Sequence, residues 1–312
     1  MKKRIILCAL LIVFAMLTSS CSSGGNNDTD DIMDETPKAW AASDKSLHTA
    51  VIIPLKDANK GREYAENSLA VNSRLIDDIP VIELHNIQSH LAPIMFFLHE
   101  HKGNKEQFLD EASVYAQAGF FCIMFDLNGY GARTSQEVIE SIESAVQATS
   151  DIELLLEYYR LNPHADTDHF VLYGQSMGGS AAWHYAAFAQ KTPSAIVTCS
   201  AAANFEALSD LGAVKDGKRQ SPAWDENRFH SYCIEHNPIS QIDKLSQIPT
   251  MVYQGMNDNT IVPEITQQLE HMLMSTGRQN CLFIYDENGD HNVTPAFLAR
   301  ILPFLKQYIR IN

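Results

Sequence analysis

Phe170-Val171-Leu172-Tyr173-Gly174-Gln175-Ser176-Met177-Gly178-Gly179-Ser180-Ala181-Ala182 is the stretch on which the fold turns. Four apolar residues of strand character run into Gly-x-Ser-x-Gly, and small residues fit to open a helix follow. A serine in that setting occupies a sharp strand-to-helix turn that lifts its hydroxyl above the sheet, while the flanking glycines relieve crowding where strand and helix nearly touch. Gly-x-Ser-x-Gly alone is a weak signal, and a glycine-rich helix start with a capping serine is the bland competitor. The strand before it and the small residues behind it favour Ser176 as a nucleophile.

Outward from this turn the chain alternates strand-like and helix-like segments. Val51 to Leu55 and Pro80 to His85 read as early strands, with Asp77-Asp78 as a turn. Ile94 to Leu98 is a continuous apolar run, as expected of a strand covered on both faces. Lys105 to Ala118 carries Phe108, Leu109, Ala112 and Tyr115 at helical spacing and stops at Gly119. Strands follow at Phe121 to Phe125, Phe170 to Tyr173, Ala195 to Cys199, Thr250 to Gln254 and Leu282 to Tyr285. Helices fall at Gln136 to Tyr159, Met177 to Gln190, Pro263 to Ser275 and Thr294 to Ile309. This alternation predicts crossover units, a mostly parallel sheet with helices on both faces, and an active site beyond the carboxyl ends of the strands. Residues 204–246 break the rhythm, with Trp224, Phe229, Tyr232 and two prolines but no obvious strand. They read as a short cap, either a substrate wall or a structural excursion.

A serine hydroxyl needs a base to take its proton, and the base needs an acid to hold its tautomer. His291 follows the last strand in Asp286-Glu287-Asn288-Gly289-Asp290-His291, just before a helix. Asp258 lies in Gly255-Met256-Asn257-Asp258-Asn259-Thr260-Ile261-Val262-Pro263, after the penultimate strand. The order Ser176, Asp258, His291 is the one this topology demands. Asp290 and Glu206 are the weaker candidates for the acid. A developing oxyanion would need two backbone N–H groups. Met177 supplies one, and the loop His99-Glu100-His101-Lys102-Gly103-Asn104 supplies the other.

Phe97-Leu98-His99, Asp126-Leu127-Asn128-Gly129-Tyr130-Gly131, Gly-Gln-Ser-Met-Gly-Gly, the Gly255/Asp258/Val262-Pro263 stretch and Gly289-Asp290-His291 together resemble the α/β-hydrolase superfamily. The resemblance runs from about Ile94 to Ile309. It is nearest to the esterase, dienelactone-hydrolase-like and prolyl-oligopeptidase-like catalytic domains, and it implies an α/β-hydrolase fold and acyl-transfer chemistry. One position departs from the pattern: Glu100 stands where the superfamily usually has glycine after the histidine. The expectation is that Glu100 points away, towards Lys102 or Lys105, and that His101 N–H is the second oxyanion donor, with Glu100 N–H as the alternative.

Other chemistries find less support. His99-Glu100-His101 could present two imidazoles to a metal, but no third ligand is spaced nearby, and His99 reads better as a buried polar group beneath the loop. Asp126 with Gly129 and Gly131 reads as a turn after a buried strand. No Gly-x-Gly-x-x-Gly follows the early strands, so no dinucleotide is expected. The 312 residues are 45% hydrophobic and carry a formal charge of −15, which disfavours a nucleic-acid partner. No metal or organic cofactor is expected.

The N-terminus has its own logic. Lys2, Lys3 and Arg4 precede an apolar run from Ile5 to Leu17, the build of a signal peptide over residues 1–20. Leu17-Thr18-Ser19-Ser20-Cys21 resembles a bacterial lipobox, with Cys21 as the lipidation site and Thr18 where leucine is preferred. Residues 21–46 then form a flexible, Ser-, Gly-, Asn- and Asp-rich tether ahead of a hydrolase domain spanning 47–312. The implied place is the bacterial cell envelope, held to a membrane by acyl chains. Of the remaining cysteines, Cys122, Cys199 and Cys281 sit in apolar runs that favour free thiols. The expected substrate is a small-molecule or glycan-linked carboxylic ester. A prolyl-oligopeptidase-like peptidase is the alternative, disfavoured by an N-terminal part too short for a gating propeller. A non-catalytic surface binding protein is the third reading, and it sits poorly with three filled triad positions.

Overall fold

The computed structural model describes residues 50–52, 68–134, 141–209 and 225–311. The signal peptide, Cys21, the tether and Trp224 lie outside the described residues. All described residues fall within one unit, Lys45–Asn312.

The centre of the molecule is a nine-stranded sheet in the order β1-β2-β3-β5-β4-β6-β7-β8-β9. Its strands are β1 (Ala50–Ile52), β2 (Leu69–Ile76), β3 (Ile79–Asn86), β4 (Ala92–Leu98), β5 (Phe121–Phe125), β6 (Ala165–Gln175), β7 (Ala195–Cys199), β8 (Thr250–Gly255) and β9 (Cys281–Asp286). β1, β2 and β3 form an antiparallel meander that joins β5 antiparallel; from β5 onward every pairing is parallel. Every residue of β4, β5, β7 and β8 is buried, which is why these strands read as largely apolar runs. β9 is an edge strand and only half-buried.

The helices are α1 (Leu109–Gln117), α2 (Ser141–Tyr159), α3 (Met177–Phe188), α4 (Phe205–Ser209), α5 (Glu226–Glu235), α6 (Ile242–Leu245), α7 (Pro263–Ser275) and α8 (Pro295–Leu305). Alternation along the strands sorts them onto two faces. Met95, Phe97, Val171, Tyr173, Val197 and Cys199 pack with α1 and α8 in one core. Phe96 and Phe170 point to the other face, where Phe170 meets Tyr185 of α3 edge-on at 5.8 Å. A fully buried aromatic contributes about 1.5–3 kcal/mol relative to exposure, so these two layers hold the strand ends in place.

Three differences from the sequence reading have physical causes. β2 was not anticipated, because Asn72, Ser73 and Arg74 interrupt its apolar pattern. The structure keeps Arg74 buried by pairing it with Glu83 of β3 (Nη2–Oε1 2.9 Å), which also accepts from Asn72 and Tyr159. β6 begins at Ala165 rather than Phe170, because its polar first half pairs with Ala92 and Pro93 before a register shift. α1 begins at Leu109 rather than Lys105, because the Lys105 N–H is drawn to the Asp126 carboxylate at 2.7 Å. The long helix begins by Ser141, and residues 135–140 lie outside the described residues. Within 204–246 the described part is helical, with α4, α5, a 3-10 turn at Pro238–Gln241 and α6.

Candidate active site

Ser176 lies between the end of β6 and the start of α3, with φ 52° and ψ −120°. Positive φ is costly for a residue with a Cβ, about 1–3 kcal/mol, and is kept only where surrounding packing enforces it. Here the enforcement is visible. The Ser176 N–H donates to Cys199 O of β7 at 2.8 Å, and its carbonyl accepts from Ser180 N–H at 2.9 Å. A Cβ on Gly178 would stand 2.0 Å from Leu98 O of β4, so only glycine lets α3 start directly above the sheet. The side chain is left at the carboxyl edge of the sheet, and the residue is 8% exposed.

Asp258 and His291 are brought together from the loops after β8 and β9. His291 Nδ1 lies 2.8 Å from Asp258 Oδ2. The other carboxylate oxygen accepts the Thr260 and Ile261 N–H groups at 2.8 and 3.0 Å, closing a tight turn around a side chain that is 2% exposed. Burial pushes the Asp258 carboxyl up, but the bonds from His291, Ile261 and Thr260 outweigh it and leave the pKa below its ordinary value. An ionised Asp258 can only accept, so the proton of the neutral His291 ring sits on Nδ1 and the Nε2 lone pair is free.

Gln175, unremarked in the sequence, ties this pair to the elbow: its Nε2 donates to His291 O at 3.3 Å. Among the described residues no hydrogen bond joins the Ser176 hydroxyl to the His291 ring. Such contacts often tighten only when a substrate is bound. Asp290 faces the other way, its carboxylate accepting from Asn292. Glu206 sits exposed on α4, and among the described residues no hydrogen bond joins it to His291.

The loop after β4 is fixed from below. His99 is buried, with Nε2 accepting the Leu127 N–H at 2.9 Å and Nδ1 donating to Glu100 O at 2.8 Å. Burial lowers its pKa, keeping it neutral. Both nitrogens are therefore engaged, and none remains for a metal. Gly103 N–H closes a turn onto Glu100 O at 2.9 Å. The positive φ in this turn falls on Lys102 (63°), not on Glu100, so the backbone does not require glycine where the superfamily usually has it.

The Glu100 carboxylate is held by Gln107 Nε2 at 3.3 Å, which corrects the expectation of Lys102 or Lys105. Lys105 is committed instead to Asp126, with Nζ–Oδ2 at 3.0 Å, both side chains buried. Glu100 N–H donates to Gln107 Oε1 at 3.3 Å. His101 is braced by Tyr130, whose hydroxyl lies 2.9 Å from Nδ1. Asp126 is the anchor of the region: it receives Lys105 N–H, Lys105 Nζ and Ala132 N–H, as a turn-organising rather than reacting carboxylate.

With this geometry in view, the prolyl oligopeptidase family model matches residues 106–312. The chain belongs to the prolyl oligopeptidase family. Esterase YjfP of Escherichia coli (strain K12) is 22% identical over 253 residues, covering 77% of this chain and 100% of its own. Among solved structures, an acetyl xylan esterase from Paenibacillus sp. R4 aligns with a TM-score of 0.64 at 16% identity, over 87% of this chain and 92% of that one. A Mycobacterium tuberculosis puromycin-hydrolyzing peptidase aligns with a TM-score of 0.62 at 15% identity, over 75% of this chain and 38% of that one. The shared architecture is the α/β-hydrolase fold, and the chain is a hydrolase of this esterase and peptidase family. Among the described residues Cys122, Cys199 and Cys281 are free thiols.

Proposed function

We propose that the protein is a serine hydrolase that cleaves a carboxylic ester through an acyl-enzyme, with Ser176 as nucleophile, His291 as base and Asp258 as its orienting acid. The observation that carries this reading is the Asp258–His291 bond, tied by Gln175 to a serine held at positive φ. Ser176 Oγ attacks the carbonyl carbon as its proton passes to His291 Nε2, and Asp258 stabilises the imidazolium. The oxyanion accepts from Met177 N–H, at the first position of α3, and from His101 N–H; neither group is bonded to another described residue. The imidazolium then protonates the leaving alkoxide. Water, deprotonated by the same nitrogen, releases the acid and restores Ser176.

An ester is supported by two relatives that are themselves esterases. Esterase YjfP and the acetyl xylan esterase align along 100% and 92% of their lengths, whereas the puromycin-hydrolyzing peptidase aligns along 38%. A peptidase of the prolyl oligopeptidase type remains the second reading, supported by the family itself. The test is a fluorophosphonate probe on folded protein, followed by acyl esters and aminoacyl anilides on the same preparation. Labelling at Ser176 that disappears in Ser176→Ala, with ester turnover dominant, is expected; an unlabelled Ser176 would sink the reading. Anilide turnover exceeding ester turnover would move the assignment to peptidase. We also propose a lipid anchor at Cys21 on a bacterial envelope membrane, supported by the lipobox-like run before it. Cys21→Ser is expected to move the protein from the membrane fraction to the soluble one.

A further inference from the structure

Gln254 is the penultimate residue of β8, buried (0% exposed) after the apolar Met251, Val252 and Tyr253. A primary amide in that place is costly unless its hydrogen-bonding groups are satisfied. Its Nε2 faces three acceptors: Gly255 O at 3.0 Å, Ile261 O at 3.0 Å and Asp258 Oδ2 at 3.4 Å. Its Oε1 accepts the Thr266 hydroxyl at 2.7 Å, from the first turns of α7. These partners fix the amide's orientation. A flipped amide would aim Oε1 at two carbonyls and a carboxylate, none of which can donate.

Gly255 and Ile261 are the two ends of the loop that carries Asp258. The Gln254 amide therefore clamps both ends of the acid loop and touches the same carboxylate oxygen that receives His291 Nδ1. We infer that Gln254 is a positioning residue for the acid, locked by Thr266, and that it sets where the Asp258 oxygen meets the His291 ring. This rests on the triad reading above. Gln254 touches no reacting atom; it acts through Asp258, as an outer-shell partner acts through a ligand. The Thr266–Gln254–Asp258–His291 chain links α7, β8 and both catalytic loops, so the base would be aligned by the body of the fold rather than by the loops alone.

The experiment compares Gln254→Leu, Thr266→Val and Thr266→Ser with wild type on an ester substrate, reading kcat and KM separately. The low-field proton resonance of the His291 Nδ1–H bond and the thermal midpoint are read on the same samples. Gln254→Leu should lower kcat about 10–100-fold with KM little changed, and should shift or broaden that resonance. Thr266→Val should do the same to a smaller degree, and Thr266→Ser, which keeps the hydroxyl, should restore both. Wild-type kcat with an unchanged resonance in Gln254→Leu overturns the inference. So does a kcat loss that only follows the folded fraction while the resonance of the folded protein stays put. Should Gln254→Leu not fold, the Thr266→Val and Thr266→Ser pair decides alone. Full activity in Ser176→Ala would instead overturn the triad reading, independently of either variant.

Discussion

Gly255→Ala offers a measurement of how tightly the proposed base, His291, must be held. Gly255 ends β8 directly beneath the loop that carries His291. A Cβ there would lie 2.1 Å from Asp290 O, 2.6 Å from Gly289 C and 2.7 Å from Gly289 O. All three are backbone atoms, so no side chain can swing aside. Ordinary contact begins at 3.4 Å, so Asp290 O must retreat by about 1.3 Å if it takes up the whole clash. The loop cannot yield evenly, because Asn257 N–H holds Gly289 O at 2.8 Å and Met256 N–H holds Asp286 O at 2.9 Å. The displacement therefore passes to the next residue, His291. A misplacement of about 1 Å costs on the order of 100-fold in rate, or about 2.7 kcal/mol of barrier. Overpacking should also lower stability by about 1–3 kcal/mol. The assay is steady-state ester hydrolysis with chemical denaturation on the same samples, and Gly277→Ala is the control. Gly277 has positive φ (77°), unlike Gly255, and nothing lies within 4 Å of its would-be Cβ. Its alanine variant should lose about 1 kcal/mol of stability and no turnover. A Gly255→Ala enzyme with wild-type kcat would refute the argument that backbone contact between the two loops positions the base.

Other outcomes follow from the same contacts. Glu100→Gly and Glu100→Gln should leave turnover within about three-fold, since the carboxylate is bonded to Gln107 and φ at this residue is not positive; a sharp rise in the glycine variant would show that Glu100 obstructs the site. Asp126→Asn leaves the Lys105 ammonium buried beside only Glu106 (3.2 Å) and should cost about 3 kcal/mol, or roughly 6–12 °C in Tm by calorimetry. Asp258→Asn should reduce kcat by about 10⁴-fold, because an asparagine there can donate and so permits the wrong histidine tautomer. The Asp258 pKa is depressed in the fold, so its contribution to stability is present above the unfolded-state value and is lost as pH falls through the folded one. The stability gap between wild type and Asp258→Asn, measured by urea unfolding, should therefore be constant near neutrality and narrow only below about pH 4.

Much of this fold was legible because burial on both faces writes itself into sequence. β5 and β7 fell on their expected residues, and α7 on its expected bounds, since unbroken apolar runs and a proline at the first helical position are local signals. β2 and the first half of β6 were not legible. Their strand character depends on partners, Glu83 for Arg74 and the Ala92–Pro93 pairing for Ala165–Asp166, which no local pattern announces. Lys105 reads as helical from sequence for the same reason: its propensity and spacing are helical, but its N–H finds the Asp126 carboxylate in the loop after β5.

The site divides along a similar line. The strained turn at Ser176 and the loops that bring Asp258 to His291 are legible because each follows a strand, and turn chemistry is local. The groups that hold the site are less legible: Gln175 and Gln254 for the Asp258–His291 pair, Gln107 and Tyr130 for the loop after β4, and of these only Gln254 carries a signal. A glutamine among Thr250, Met251, Val252 and Tyr253, directly before the glycine of the acid loop, is a polar group where the pattern demands burial. Such a residue must find partners nearby, and the nearest unsatisfied acceptors after a strand end are those of the loop that follows. Glu100 shows the converse. Its departure from the family pattern drew attention to the residue itself, whereas the structure moves the positive φ two positions on, to Lys102. What a glycine usually supplies in this loop is a backbone conformation, and a neighbouring residue that bears it leaves position 100 free to carry a side chain.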